Sequence, residues 1–441
     1  MKILRRALIV LASGLIILFS AAAADESVFS AGAAVADITP DLSARRVPLA
    51  GYSARLLRPA RGVHDPIHCK AITVSDGARS VALVSCDLVS VSAALREKVI
   101  ADLAGTNYGD DNLLLCATHS HSGPAGYDKN ALFQALFGRY NDAFTTELAH
   151  KIAAAVKAAD AAREPAAMRI AAAELPGLVR NRRFGKDYSY TTRHSKSAAP
   201  AAGPTNPVLT VVRFDGADGA PIAVLFHFAA HATIMGADNM LITAEWPGVA
   251  MDRIEAAASG AVAMFMNGAE GDQTPIVLDD GADDWTWRQR IGSQMGDAVI
   301  AALDTAFPAP AAPVSYALMR ESVPGPGHIM GLPLSARATH ALFPALTLQA
   351  VRIGDLALLA VPVEMTATPG KQLRDSALRP GITHPLVVGL ANDFYWYCAE
   401  PDEFSEGSSY EPGTTIFGKK EAGIVIEEQM KLMDQVMGRQ Q

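Results

Sequence analysis

Short apolar runs, too brief for helices, alternate along this chain with longer segments of helical periodicity, and that alternation restricts the fold to sheets covered by helices. Strands are expected at Ile67–Val74, Val81–Val89, Leu113–His119, Val208–Phe214, Ile222–His231, Ala261–Met266, Leu348–Ile353, Ala357–Val361 and Leu386–Leu390. Helices are expected at Ala93–Leu103, Ala143–Ala162, Pro247–Ala258, Arg288–Ala306 and Lys420–Met437. In the second of these, Leu148, Ile152 and Val156 recur at i, i+4 and i+8 as a core-facing stripe. The class is therefore α/β, with mixed β-sheets covered by helices. A chain of 441 residues, half apolar and 19% charged, buries a large core and is not disordered over most of its length. Ser195–Pro207 and Pro308–Pro313 read as exposed connections, but neither separates segments of different composition.

Charge and cysteine usage narrow the partners. Against 46 Asp and Glu stand 38 Lys and Arg, and the resulting −8 repels a polyphosphate chain, so no nucleic-acid partner is expected. Lys2, Arg5 and Arg6 precede an apolar run from Ala7 to Ala21, followed by Ala22, Ala23 and Ala24. This is the pattern of a secretory signal over residues 1–24 rather than of a membrane anchor, since Ser13, Gly14 and Ser20 interrupt a run already short for a span. Export to the periplasm or medium is expected. Cys69, Cys86, Cys116 and Cys398 are too sparse for a disulfide framework and leave one bridge or none equally open.

The chemistry gathers where apolar strands end. There is no GxSxG elbow, HExxH helix, GxxxxGK[ST] loop or GxGxxG turn. Instead Thr118-His119-Ser120-His121-Ser122-Gly123-Pro124 follows Leu113–Leu115, and i, i+2 residues on a strand share a face, so both imidazoles are expected to converge. Neutral imidazole is a good zinc ligand; the alternative is a pair of histidines that merely shape the turn. His231 stands at the exit of another apolar run, with His227 read as core. Asn267-Gly268-Ala269-Glu270-Gly271-Asp272-Gln273-Thr274-Pro275 follows a third, and Glu364 a fourth. Ligands bind at strand ends in open α/β sheets.

Taken in order, Ala33–Pro40, Gly62–Pro66, Thr118–Gly126, Asn267–Pro275, Val361–Glu364 and Tyr410–Gly418 resemble the catalytic domain of the neutral, non-lysosomal ceramidases over nearly the whole chain after the signal. The resemblance implies hydrolysis of the N-acyl amide of a lipid such as ceramide, with one catalytic Zn²⁺ held by His119, His231, Glu364 and Tyr397. Phe394 stands where the family has its first tyrosine, so Tyr395 stays open as an alternative to Tyr397. His121 then takes and returns a proton, for which a pKa near neutrality is expected. Tyr410 donates to the developing oxyanion, and Arg182 matches a substrate-facing arginine. Thr274 replaces the family's serine; its hydroxyl is a candidate catalytic group that a metal–water mechanism does not require. The family also implies a structural Ca²⁺ or Mg²⁺ that sequence does not place, transient membrane contact, and an additional β-rich domain for which the chain after Met437 leaves no room. Residues 25–441 are therefore read as one catalytic domain. Two other functions remain open at this point: a zinc hydrolase of a different amide or ester, and a catalytically silent lipid-binding homologue. Sequence says nothing of oligomeric state.

Overall fold

The computed structural model of the protein describes residues 29–183, 203–258, 260–405 and 410–438. The expected signal segment lies outside them. Eight strands form the path of the larger sheet: β1 (Ser30–Asp37), β2 (His68–Ser75), β3 (Ser80–Cys86), β4 (Leu113–Ala117), β5 (Glu164–Glu174), β6 (Val208–Gly216), β7 (Pro221–Phe228) and β8 (Val262–Asn267). Their order is β8-β7-β6-β5-β1-β2-β3-β4, with Phe307–Ala309 added beside β5. The edge pairs β3–β4 and β7–β8 are parallel, and the interior pairs are antiparallel. A second sheet joins β9 (Val314–Glu321), β10 (Leu346–Ile353), β11 (Leu356–Ala360) and β13 (His384–Val388); between and after these lie the short strands β12 (Glu364–Met365) and β14 (Tyr397–Cys398).

The two sheets pack face to face. Ile72, Leu83, Leu114, Val212, Leu225 and Met264 of the first meet Val351, Leu358, Leu386 and Val388 of the second in one apolar layer. On the outer side of β2–β4 lie α1 (Ala93–Asp102) and α2 (Asp142–Ala161), and on the outer side of β6–β8 lie α3 (Glu245–Ala257) and α4 (Asp284–Leu303). The second sheet is covered by α5 (Ala367–Ala377) and α6 (Glu421–Val436). Strands that face apolar layers on both sides read as continuous Val/Ile/Leu runs, which is why most were recognisable. β1 and β5 were not, because they are rich in alanine, and neither was β9, whose Val-Ser-Tyr-Ala-Leu-Met-Arg-Glu run mixes polar with apolar residues. The reason for small side chains is plain at Gly32, where a Cβ would lie 2.2 Å from the Ala159 carbonyl oxygen: α2 crosses β1 too closely for anything larger.

The order of the larger sheet puts β4 and β8 at opposite edges, yet its edges approach one another. The Ser85 hydroxyl on β3 donates to the Phe265 carbonyl on β8 at 2.6 Å, and Ser120, beyond β4, bridges to Ala232, beyond β7. This closure brings together strand exits distant in sequence. Cys69 and Cys86 face each other in the β2–β3 register and form a disulfide, while Cys116 and Cys398 are buried and free. No helix among the described residues is long and apolar enough to cross a membrane.

Candidate metal centre

The two strands expected to reach His119 and His231 end before them. β4 stops at Ala117 and β7 at Phe228, so His119 and His231 sit in the turns beyond. The convergence of His119 and His121 therefore does not come from a shared strand face. It comes from a turn in which His119 adopts φ +68°, a left-handed conformation costly for a residue with a Cβ. Hydrogen bonds hold that turn in place: Thr118 N–H donates to the Cys86 carbonyl at 2.9 Å and Ser120 N–H to the Leu88 carbonyl at 3.1 Å. The rings of His119 and His121 meet edge to face with centroids 4.6 Å apart.

Carbonyl oxygens fix the two imidazoles nearest Glu364. His119 Nδ1 lies 2.6 Å from the Val89 carbonyl oxygen, and His231 Nδ1 lies 2.9 Å from that of Glu270 and 3.2 Å from that of Gln273. Each Nδ1 therefore carries the proton, and each Nε2 presents a lone pair inward. β12 and β14 pair in parallel with Glu364 opposite Tyr397, which sets a carboxylate beside a phenol. Glu364 Oε2 stands 3.3 Å from His119 Nε2 and 3.1 Å from His231 Nε2. Tyr397 Oη is 3.4 Å from His231 Nε2 and accepts from Arg182 Nη2 at 2.8 Å. All four side chains are buried.

Three lone-pair donors that converge with their protons committed elsewhere repel one another unless a cation lies among them. Glu364 Oε2 makes no hydrogen bond in this arrangement despite its two close nitrogen neighbours. Two imidazole nitrogens and two oxygens suit a divalent ion of the zinc type, so the residues fit the expected metal. Electrostatics agrees. Burial, with Arg182 beside it, pushes the His231 pKa down to about 4, which keeps that ring neutral. The ligand atoms of His119, His121 and His231 lie within 4.8 Å of one another, as do those of His119, Glu270 and Glu364. Both clusters share His119. Among the described residues no separate cluster of three or more His, Cys, Asp or Glu donors offers a structural Ca²⁺ or Mg²⁺ site.

The other expected residues take distinct places. His121 Nε2 lies 3.1 Å from His119 Nε2, and its Nδ1 is buried without a hydrogen-bond partner, so no carbonyl fixes it as the ligand imidazoles are fixed. Burial, then His119 and His231, hold its pKa well below the ordinary value, which corrects the expectation of a near-neutral one and keeps the ring a proton acceptor. Arg182 is less a substrate-facing group than a clamp on the centre: Nε donates to Glu411 Oε1 at 2.9 Å, Nη2 to Tyr397, and Nη1 lies 3.1 Å from His231 Nε2. The Tyr410 ring packs edge to face on Tyr397 at 5.2 Å, and burial pushes its phenol up to about 12, so the hydroxyl keeps its proton. Tyr395, the open alternative, is engaged elsewhere: its hydroxyl donates to the Ala345 carbonyl at 2.6 Å and accepts from the Ala345 amide. Thr274 lies on the short strand Gln273–Pro275, opposite Arg180. His227 is core, with Nε2 2.7 Å from the Val387 carbonyl oxygen. Of the connection expected at Ser195–Pro207, residues 195–202 lie outside the described residues.

Several contributors were not read from the sequence. Asn267 ties three strand exits together: Nδ2 donates to the carbonyls of Ala230 (2.9 Å) and Thr118 (3.4 Å), while Oδ1 accepts from the amides of Ala230 and Gly268. Its position directly after a strand was the available signal. Gly51, at φ +91°, lets the backbone rest on the His121 ring, where a Cβ would come within 2.6 Å of it. Arg55 reaches the carbonyls of Ala50 and His121 from a distant loop, which no local pattern announces. Glu270, inside the third strand-exit turn, is fully buried.

The profile of the family described as neutral/alkaline non-lysosomal ceramidase, N-terminal, matches residues 29–289 and 335–427. A neutral ceramidase of Mycobacterium tuberculosis is 26% identical over 90% of this chain and 75% of its own length, and one of Pseudomonas aeruginosa is 24% identical over 90% and 70%. The crystal structure of the neutral ceramidase from Pseudomonas aeruginosa superposes with a TM-score of 0.82 at 22% identity, covering 94% of this chain and 75% of that one.

Proposed function

The chain belongs to the neutral/alkaline non-lysosomal ceramidase family, and on that premise we propose that it is a metal-dependent amidohydrolase that cleaves the N-acyl amide of ceramide to a fatty acid and a sphingoid base. The observation that carries the metal is Glu364 Oε2 within 3.3 Å of two imidazole nitrogens whose ring protons are committed to carbonyls. His119, His231, Glu364 and Tyr397 would hold one zinc ion. Bound there, zinc supplies Lewis-acid polarisation of the amide carbonyl and of water.

The chain's own residues do the rest. His121 Nε2 accepts the proton of the attacking water and returns it to the amide nitrogen as the C–N bond breaks; a neutral ring with an unpartnered Nδ1 is ready for the first of these transfers. The protonated Tyr410 hydroxyl donates to the carbonyl oxygen as it gains charge. Arg182, anchored by Glu411, holds the Tyr397 oxygen toward His231. Thr274 has no part in this scheme. Because the participating residues run from His119 to Tyr410, we take 25–441 as one catalytic domain. The same reading carries export, since the N-terminal segment reads as a signal and the Cys69–Cys86 disulfide needs an oxidising compartment.

The test combines metal analysis of the purified protein with fatty-acid release from ceramide, an N-acyl amino acid and a simple ester. One zinc per chain, turnover lost to a chelator and restored by zinc, and preference for ceramide are expected. His119→Ala should lose both metal and turnover. A metal-free protein in which zinc restores no amidase activity would overturn the reading, and preference for another acyl compound would replace the substrate.

A further inference from the structure

Glu270 is the most costly side chain in the molecule left without an explanation. It is 0% exposed, and neither carboxylate oxygen has a hydrogen-bond partner. A buried carboxylate in that state is costly unless a proton or a cation answers it, and an orphaned buried polar group asks for an unseen ion. The chain builds room for it nevertheless. Oε2 lies 2.7 Å from where a Cβ at position 389 would stand, so Gly389 is small where the carboxylate must pass. Its backbone is equally committed: the Glu270 carbonyl accepts from His231 Nδ1 and the Gln273 amide, which fixes the turn that aims the side chain. The Gly271 amide donates to the Met365 carbonyl at 2.8 Å, and a Cβ at Gly271 would lie 2.6 Å from the Glu364 carbonyl oxygen, so the turn is pressed against β12.

What faces the carboxylate is the rest of the centre. Ligand atoms of Glu270, His119 and Glu364 lie within 4.8 Å of one another. No arginine or lysine is hydrogen-bonded to it. We propose that Glu270 is a ligand of the same cation, so that the centre answers a divalent charge with two buried carboxylates, Glu270 and Glu364, instead of one. Two carboxylates cancel the charge of a divalent ion within a dry pocket, and the unpartnered oxygens of Glu270 and Glu364 gain their missing partner together.

The inference rests on the metal reading above, and the experiment separates the two. Zinc affinity of the full-length wild type and of Glu270→Gln is measured by competition with a chromophoric chelator, beside the absorption spectrum of the cobalt-substituted proteins. Glu270→Gln keeps the shape of the side chain and removes its charge. Its metal-free form should keep the wild-type melting temperature, since the side chain fills the same space. It should bind zinc at least tenfold more weakly, and its cobalt visible bands should change in intensity and position. Equal zinc affinity together with an unchanged cobalt spectrum would overturn the role of Glu270 and leave the centre intact. A wild type that binds neither zinc nor cobalt would overturn the metal centre itself, and Glu270 with it. Should Glu270→Gln fold poorly, Glu270→Leu, uncharged and of similar bulk, gives a second reading, and it too should weaken zinc binding and change the cobalt bands.

Discussion

Tyr395 and Tyr397 lie two residues apart and spend their hydroxyls in opposite ways. One is saturated by the Ala345 backbone, and the other reaches His231 and Arg182. Tyr397→Phe should therefore weaken zinc binding about tenfold or more while the metal-free melting temperature holds. Tyr395→Phe should leave zinc affinity unchanged and cost about 1 kcal/mol of stability, the usual net worth of a lost buried hydrogen bond. Chelator competition and denaturant titration read the two effects apart. Tyr410 predicts a third pattern. Its hydroxyl keeps its proton beside Tyr397, so Tyr410→Phe should lower kcat about 10²-fold, the scale of one lost oxyanion donor, with metal content unchanged. The resemblance pointed to Tyr397 and left Tyr395 open as an alternative, because the two differ in environment and not in type. Trp396, at φ +61° between them, marks the backbone twist that separates their environments.

The turns beyond the strands are the elements that make the centre, and each depends on a residue that contributes no ligand. At Gly51 the backbone lies against the His121 ring, so Gly51→Ala should drive the imidazole aside and lower turnover about 10²-fold, the cost of misplacing a catalytic group by about an ångström. His119 and His231 hold their own carbonyl partners, so zinc content should not change; steady-state kinetics beside metal analysis checks both halves. The strand exits were legible because β4, β7, β8 and β11 are apolar, buried runs, each reaching a polar residue within four positions of its end. His119, His231 and Glu364 were found on that signal. β1 and β5 were not found, since Ala-Gly-Ala-Ala and Ala-Ala-Ala are helix-favouring by propensity and become strands only because α2 and the neighbouring strands demand small residues there. Glu270 was missed for a related reason. An acidic residue in a glycine-rich turn reads as solvated, and only the closure of the larger sheet buries it.

At the scale of the whole molecule, the depth of burial that makes the centre possible also leaves acids inside the fold, and these set how stability responds to pH. Burial pushes the carboxyls of Glu421 and Glu403 up to about 8 and that of Asp393 up to about 7. Glu421 is the simplest case. It opens α6, its Oε2 accepts from the Phe417 amide at 2.9 Å, and its Oε1 has no partner. A carboxyl with a raised pKa is protonated in the fold at a pH where the unfolded chain has lost the proton. The folded state then binds more protons, and stability falls as pH rises toward the folded pKa, by about 1.4 kcal/mol per unit for each such group. Buried histidine acts with the opposite sign but in another window. His227, pushed down to about 4 by burial, costs stability only as pH drops below the ordinary histidine range, when the unfolded chain gains a proton the fold refuses. Between pH 6.5 and 8.5 the carboxyls therefore act without that opposition, and the denaturant midpoint of the wild type should fall across this interval. Glu421→Gln, which keeps an acceptor for the Phe417 amide and has nothing to ionise, should fall less, by about 2 kcal/mol over the interval. If the two proteins lose stability in parallel, the Glu421 carboxyl is not protonated in the fold, and the cost of the unpartnered Oε1 is met by some other means.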